Sequence, residues 1–176
     1  MRSVTRLNFG QRTDPKKEMA APVTPSVRKW ELVWYNIAIL TAWHVGAVYG
    51  LYELLHSSWA MLAMFISLWW FSGLGITAGA HRLWAHRSYK AASPLRVFLM
   101  LMNSMAFQGS IYEWARDHRV HHKASETDGD PHNATRGMFF AHMGWIVVRK
   151  HPQVKEVGLK LSMADLDAGF FLYFSF

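Results

Sequence analysis

The chain has 176 residues, a formal net charge of +7 and no cysteine; 51% of it is hydrophobic and 15% aromatic, with nine Trp and eleven Phe. That length and apolar content suffice for one domain of ordinary size, and the missing thiols exclude a disulfide framework or a thiolate metal site. The distribution of charge says more than its sum: none of the 19 Lys and Arg lies between Trp30 and Ala80, so an apolar block stands between two basic, water-facing flanks.

Residues 1–29 are polar, with Thr13-Asp14-Pro15-Lys16-Lys17-Glu18 where a signal peptide would need an apolar core. They are expected to form a disordered cytosolic arm, drawn weakly toward an anionic leaflet. Residues 30–80 hold two stretches, Leu32 to Leu51 and Trp59 to Gly79, each meeting the requirement of about 20 apolar residues for a bilayer span. The link between them, Tyr52 to Ser58, carries no basic residue, whereas seven precede the pair and twelve follow it. By the positive-inside rule both flanks are cytoplasmic and the link faces the lumen or exterior. Trp30, Trp34, Tyr52 and Trp59 lie near the predicted ends, where aromatic rings favour the headgroup zone. The alternative is a helical hairpin buried in a soluble protein.

Residues 81–168 are expected to be a cytosolic helical region hung just below the membrane. Ser93-Pro94 reads as a helix start, with Ser at the cap and Pro at the first helical position. The run Leu95 to Phe107 is too short to span and suits an interfacial or buried helix. A further helix is predicted over Ile111 to Ala124, then a turn-rich loop, ETDGDPHN, over Glu126 to Asn133. A short apolar helix over Phe139 to Val148 ends in Arg149-Lys150-His151-Pro152, where cations suit a helix C-terminus and Pro stops it.

Five histidines form two tight groups, His81 and His86 in HRLWAHR and His118, His121 and His122 in HRVHH. Neutral imidazole is the commonest metal ligand. Steps of three and four place the second group on one helix face, able to point at one metal or at two adjacent ones. His81 and His86 are five apart, roughly 140° around an α-helix, so a shared site needs a frayed turn or two metals. A dinuclear centre is the natural reading; a basic interfacial patch or pH sensor is the alternative, and neither needs the three-four spacing. Asp117, Glu126, Asp128 and Asp130 are candidate partners for the second ring nitrogens. His44, His56, His132, His142 and His151 read as structural, and His44, inside a span, calls for an inward face and a partner. Imidazole alone does not distinguish iron from zinc, copper or nickel.

From about Val27 to Asp167 the chain resembles the animal membrane acyl-CoA desaturases of the stearoyl-CoA or delta-9 type. HRLWAHRSYKA and NSMAFQGSIYEWARDHRVHHKASETDGDPHNATRGMFFAHMGWIVVRKHP carry that resemblance. It implies an enzyme of fatty acid biosynthesis, a multi-pass protein of the endoplasmic reticulum membrane with its site on the cytosolic side. Such an enzyme inserts a cis double bond into a fatty acyl-CoA with dioxygen and two irons, and draws electrons from cytochrome b5 and its NADH-dependent reductase. No nucleic-acid partner is implied. His81, His86, His118, His121 and His122 match iron ligands; Asn36, Arg116, Asp117, Arg149 and Lys150 match positions that hold the CoA moiety; Gln108 and Trp114 match the lining of the acyl tunnel. An unactivated methylene demands a metal-bound oxidant, so no separate catalytic acid is expected. For Arg149 and Lys150 a snorkelling basic pair is the competing reading, and for Trp114 a plain core residue.

The sequence departs from that pattern at Gly109, where mammalian members have Asn, and after Leu166-Asp167-Ala168. The family continues into two further spans, an Asn with a His four residues on, and a third histidine box; GFFLYFSF, residues 169–176, does not match. The expectation is therefore an all-α, incomplete version of a four-span desaturase: two spans, both termini cytoplasmic, and a cytosolic histidine-box domain, C-terminally truncated. It would act only in a full-length form or serve as a silent isoform that pairs with, or competes against, an intact desaturase. A related di-iron hydroxylase is a weaker reading.

Overall fold

Among the described residues, 30–167, every element is helical apart from one antiparallel bridge between Leu32 and Val148. In this computed structural model the chain divides into two units, Met1–Trp30 and Glu31–Phe176. The expected arm over 1–29 and tail over 169–176 lie outside the described residues.

Helix α1, Trp34–Leu54, is followed after a short link by α2, Trp59–Leu74, whose first turn is capped by the Ser58 hydroxyl accepting from the Met61 N–H at 3.3 Å. Both match the predicted spans closely, although α1 starts two residues later because Glu31 to Val33 are extended against residues 147–149. Val33 N–H donates to Val147 O at 2.8 Å, and Arg149 N–H donates to Glu31 O at 2.8 Å. The two apolar helices, the second running on to Ala85, are long and apolar enough to cross a membrane and are almost wholly unburied. A core helix of a soluble protein hides its apolar face; here Trp34, Trp59, Trp69 and Trp70 are each at least 65% exposed. Protein packing does not cover this surface, which suits a lipid solvent.

The second long helix does not stop at Gly79. It widens into a π-helix, π1, over Gly75–Ala85, with i→i+5 bonding such as His86 N–H to His81 O at 2.9 Å. Two glycines let π1 meet α3, Ser93–Ser104, at close range. A Cβ on Gly75 would lie 2.2 Å from Asn103 N, and one on Gly79 would lie 3.0 Å from the Trp84 ring and 3.4 Å from Leu99 Cβ. The cap of α3 is Ala92, with Ser93 already helical and without a side-chain bond to the backbone, so the expected Ser cap is displaced by one residue. The helix ends before Phe107, which takes φ 53 and stays 62% exposed against Trp43.

Helix α4, Ile111–Ala124, has the predicted bounds. Its start is a variant capping box: the Ser110 hydroxyl accepts from Glu113 N–H at 3.1 Å and donates to the Glu113 carboxylate at 3.3 Å. Packing of π1, α3 and α4, closed by Met163 and Leu166 from the last described residues, builds the core around Leu83, Trp84, Leu99, Ile111 and Ala115. Each large aliphatic chain in it contributes about 1.5–3 kcal/mol. The expected helix over Phe139 to Val148 forms as one continuous helical run, in which a π turn over Phe140–Gly144 passes into a single α turn, α5, Trp145–Val147. The extended pairing of Val148 with Leu32 stops it. Asn36 on α1 donates to Ile146 O at 2.7 Å and fastens α5 to that helix. Helix α6, Pro152–Leu159, and the turn α7, Ala164–Asp167, close the described chain.

Candidate metal centre and acyl-CoA cleft

The π-helix resolves the awkward five-residue spacing of the first histidine pair. An i→i+5 ladder makes each turn roughly one residue wider than an α turn, which brings His81 and His86 close to one face, their ring centroids 4.5 Å apart. Opposite them, α4 presents His118 and His122 at the i,i+4 spacing. His118 is the hub: its Nε2 lies 3.0 Å from Nε2 of His86 and 3.0 Å from Nε2 of His122. One ligating atom from each of His81, His86, His118 and His122 lies within 4.8 Å of the others.

This donor set suits a first-row transition metal. Two imidazole nitrogens about 2.0–2.1 Å from one ion, at angles between square and tetrahedral, sit roughly 3.0–3.4 Å apart. Burial and the positive fields of His122, His81 and His86 push the His118 pKa down to about 3. Burial, with His81 and His122, also lowers that of His86. Both rings are therefore neutral, the form that binds metal. Trp114 stacks on His118 at 4.9 Å, and its indole N–H donates to Gln108 Oε1 at 3.0 Å, so the ring beside the hub is itself fixed.

His121 leaves that group. Its Nδ1–H donates to Asp130 Oδ1 at 2.9 Å, since an ionised carboxylate only accepts; in the neutral ring Nε2 then carries the lone pair. Asp130, 2% exposed, is satisfied on both oxygens: Oδ1 also takes the His132 N–H at 3.1 Å, and Oδ2 takes the Glu126 N–H at 3.0 Å. Burial alone would raise the Asp130 pKa, but the bonds from His121, Glu126 and His132 outweigh it and hold the carboxyl below its ordinary range. Glu126 enters the loop at φ 61, so the chain curls around this carboxylate. Of four carboxylates near the boxes in sequence, Asp130 is the one bonded to a box histidine; Asp128 pairs with Arg136, and Asp117 with Arg116 and Lys150. His132, read from sequence as structural, lies with its ring tilted against that of His121, centroids 4.5 Å apart, and joins a second group, His121, Asp130 and His132, whose candidate ligating atoms also converge. The signal for it was its place two residues after Asp130.

Beside the hub runs a cleft of about 390 Å³ lined by Gln108, Trp114, Asp117, His118, Trp145 and Lys150, among others. Of the five expected CoA positions, Asp117 and Lys150 line it, joined to one another by an ion pair. Arg116 adjoins through a 3.1 Å bond to Asp117. Arg149 turns instead to Glu31 at 2.9 Å, and Asn36 to Ile146. Gly109 sits at φ 83, a conformation glycine adopts freely and asparagine with more difficulty.

With this geometry in view, the similarity to known proteins is unambiguous. A delta(9)-fatty-acid desaturase of Caenorhabditis elegans, fat-7, is 61% identical over 139 residues, 78% of this chain and 41% of the relative. The acyl-CoA desaturase of Cyprinus carpio is 57% identical over 152 residues, 86% of this chain and 45% of the relative. Stearoyl-CoA desaturase 2 of Rattus norvegicus is 58% identical over 141 residues, 80% and 39% respectively. The chain belongs to the animal acyl-CoA desaturases. It spans less than half the length of these curated relatives, and no protein-family profile matches it.

Proposed function

We propose that this desaturase chain supplies the first metal-binding group and the CoA-binding cleft for insertion of a cis double bond, at carbon 9, into a saturated fatty acyl-CoA during fatty acid biosynthesis. The observation that carries the reading is the convergence of His81, His86, His118 and His122 at the end of an apolar helix, beside a lysine-bearing cleft.

In this reading His81, His86, His118 and His122 hold one iron, and His121, steadied by Asp130, offers Nε2 to a second. Bound iron supplies activation of dioxygen, the oxidising power that an unactivated methylene requires. Two C–H bonds of the acyl chain are lost and one C=C forms. Dioxygen takes up those two hydrogens with their electrons, together with two further electrons and two protons, and leaves as two waters. The two further electrons come from cytochrome b5 and its NADH-dependent reductase. Lys150, with Arg116 and Arg149 nearby, meets the CoA phosphates, and Asp117 holds the Lys150 ammonium at the mouth of the cleft. Asn36 keeps α5, and hence Trp145, against the cleft. Gln108 and Trp114 line the acyl path and exclude water beside the hub. The spans lie in the endoplasmic reticulum membrane as part of a four-span fold, with both ends of the pair and the site on the cytosolic side.

The test is expression in a desaturase-deficient cell, with and without extension by the C-terminal part of a relative, followed by gas chromatography of fatty acid methyl esters. A new cis-9 monoene that disappears on His118→Ala is the expected result. No monoene from either form overturns the reading. No product from the chain alone, with lowered output from a co-expressed intact desaturase, supports the pairing isoform instead.

A further inference from the structure

The two sides of the four-histidine group are more than thirty residues apart in sequence, so something must hold π1 in register with α4. One side chain touches both. Arg119 lies on α4 between His118 and His121, and its side chain is only 10% exposed. Its Nε–H donates to Ala85 O at 3.2 Å and an NH2 hydrogen to Trp84 O at 2.8 Å. Trp84 and Ala85 are the last two residues of π1, immediately before His86, and their carbonyls are among those a helix end leaves without an intrahelical donor. The remaining hydrogens reach Ser162 O at 3.0 Å, Asp165 Oδ1 at 3.0 Å and Asp165 Oδ2 at 2.7 Å. All five guanidinium hydrogens thus meet oxygen, a pattern for which lysine lacks both donors and reach.

Asp165 does a second thing. It pairs with Arg87 at 3.1 Å, and Arg87 sits at φ 53, a left-handed conformation that costs a non-glycine residue energy and persists only where its surroundings fix it. That kink turns the chain out of π1 directly after His86. The clasp therefore grips the residues on both sides of one ligand position from a residue adjacent to another.

We propose that Arg119, anchored by Asp165, is a positioning residue that sets His81 and His86 against His118 and His122. The proposal rests on the reading that these four imidazoles bind metal; Arg119 itself touches neither metal nor substrate.

The test uses the full chain in detergent micelles, as wild type, Arg119→Lys, Arg119→Gln and Asp165→Asn. Two readouts are taken: Co(II) titration followed by its visible absorption, and amide hydrogen exchange of the metal-free protein by mass spectrometry. Loss of a partner that orients metal ligands costs roughly 10–100-fold in affinity, and that loss is expected for Arg119→Lys despite its retained charge, with less for Asp165→Asn. Exchange should rise about 10-fold or more over residues 80–88 and little in α1 or α3, as local opening requires. Wild-type Co(II) affinity and wild-type exchange in Arg119→Lys overturn the proposal. So does a uniform rise across the chain, which signals general structural damage. Should Arg119→Gln not fold, Arg119→Lys and Asp165→Asn decide. If the wild-type chain binds no Co(II), the metal reading fails by itself, and exchange over 80–88 alone decides whether Arg119 sets the register.

Discussion

The two histidine groups on α4 are assembled by opposite means. His118 and His122 meet His81 and His86 across a gap of more than thirty residues, and the group contains four imidazoles and no carboxylate. His121 is held by Asp130, nine residues on, through a loop that folds back upon a single buried carboxylate. The first group depends on tertiary packing of π1 against α3 and α4; the second is fixed almost entirely by local chain geometry. Two neighbouring histidines on one helix can therefore lose their settings independently.

The largest effect is expected from His118→Ala. Removing the hub should weaken Co(II) binding by the four-imidazole group at least about 100-fold, beyond the cost of losing a mere supporting partner. The His121–Asp130 bond should survive, visible as a downfield Nδ1–H resonance in the NMR spectrum. Loss of that resonance would show that the two groups are one cooperative unit.

Gly75→Ala attacks the same group from a distance. The added Cβ would meet the Asn103 backbone at 2.2 Å, where no flexible side chain can give way. Overpacking of this kind costs about 1–3 kcal/mol, and separation of π1 from α3 should also weaken Co(II) binding. Chemical denaturation and the Co(II) titration check both parts; again the downfield signal of His121 should persist. Asp130→Asn inverts the pattern. An amide of the same shape forfeits charge-assisted bonds, at about 1.5–3 kcal/mol, and leaves the tautomer of His121 unfixed while affinity at the four-imidazole group stays near wild type. Equal damage to both groups would contradict the division.

Acid should act on each side with a definite sign. Arg119 holds the Asp165 carboxyl below its ordinary range, and the bonds to His121, Glu126 and His132 do the same for Asp130 against the opposing pull of burial. A carboxylate depressed on folding stabilises above its unfolded pKa and loses that contribution as pH falls through the folded one. His118 differs in kind: its pKa falls to about 3, from about 6.5 in the unfolded chain. Between those values the unfolded chain takes up a proton that the folded chain refuses, so stability of the metal-free protein declines as pH drops from about 6.5 toward 3. His118→Ala should flatten that part of the profile and leave the steeper acid limb, set by the carboxylates, in place.

How much of this was legible in the sequence follows the same local-versus-distant division. Both long apolar helices could be read from hydropathy, and α4 from the three-four spacing of its histidines, because each is determined within its own segment. Four imidazoles were gathered as their clustering suggested, but the five-residue step from His81 to His86 gives the wrong angle at α-helical pitch. The wider turn of π1 accompanies Gly75 and Gly79 admitting α3, and no local propensity announces that contact. Asp130 was one of four carboxylates of equal standing; only the folded loop selects it. The place of His132 beside His121 and Asp130 could not be read, because a lone histidine beside a proline carries no periodic signal. Arg119, inside the second box, reads as an ordinary helix-surface cation until the end of π1 is placed beside it. The helix over Phe139 to Val148 could be read from its apolar run, but its π turn could not, and its end is set by the bridge from Val148 to Leu32, more than a hundred residues away.

The smallest effect provides the control for the division. Ser110 caps α4, and the helix carries both groups. Ser110→Ala removes the bond to Glu113 N–H and should cost about 0.5–2 kcal/mol of stability. Because a weakened N-terminal turn is transmitted along the shared helix, Co(II) affinity at the four-imidazole group and the intensity of the His121 resonance should fall together and modestly. Fraying confined to the first turn, seen as faster amide exchange over 111–114 with both readouts unchanged, would mean that tertiary contacts from π1 on one side and the Asp130 loop on the other pin the histidine-bearing turns without help from the cap. In that event α4 is a surface onto which two independently built sites converge, and its own stability as a helix contributes little to either.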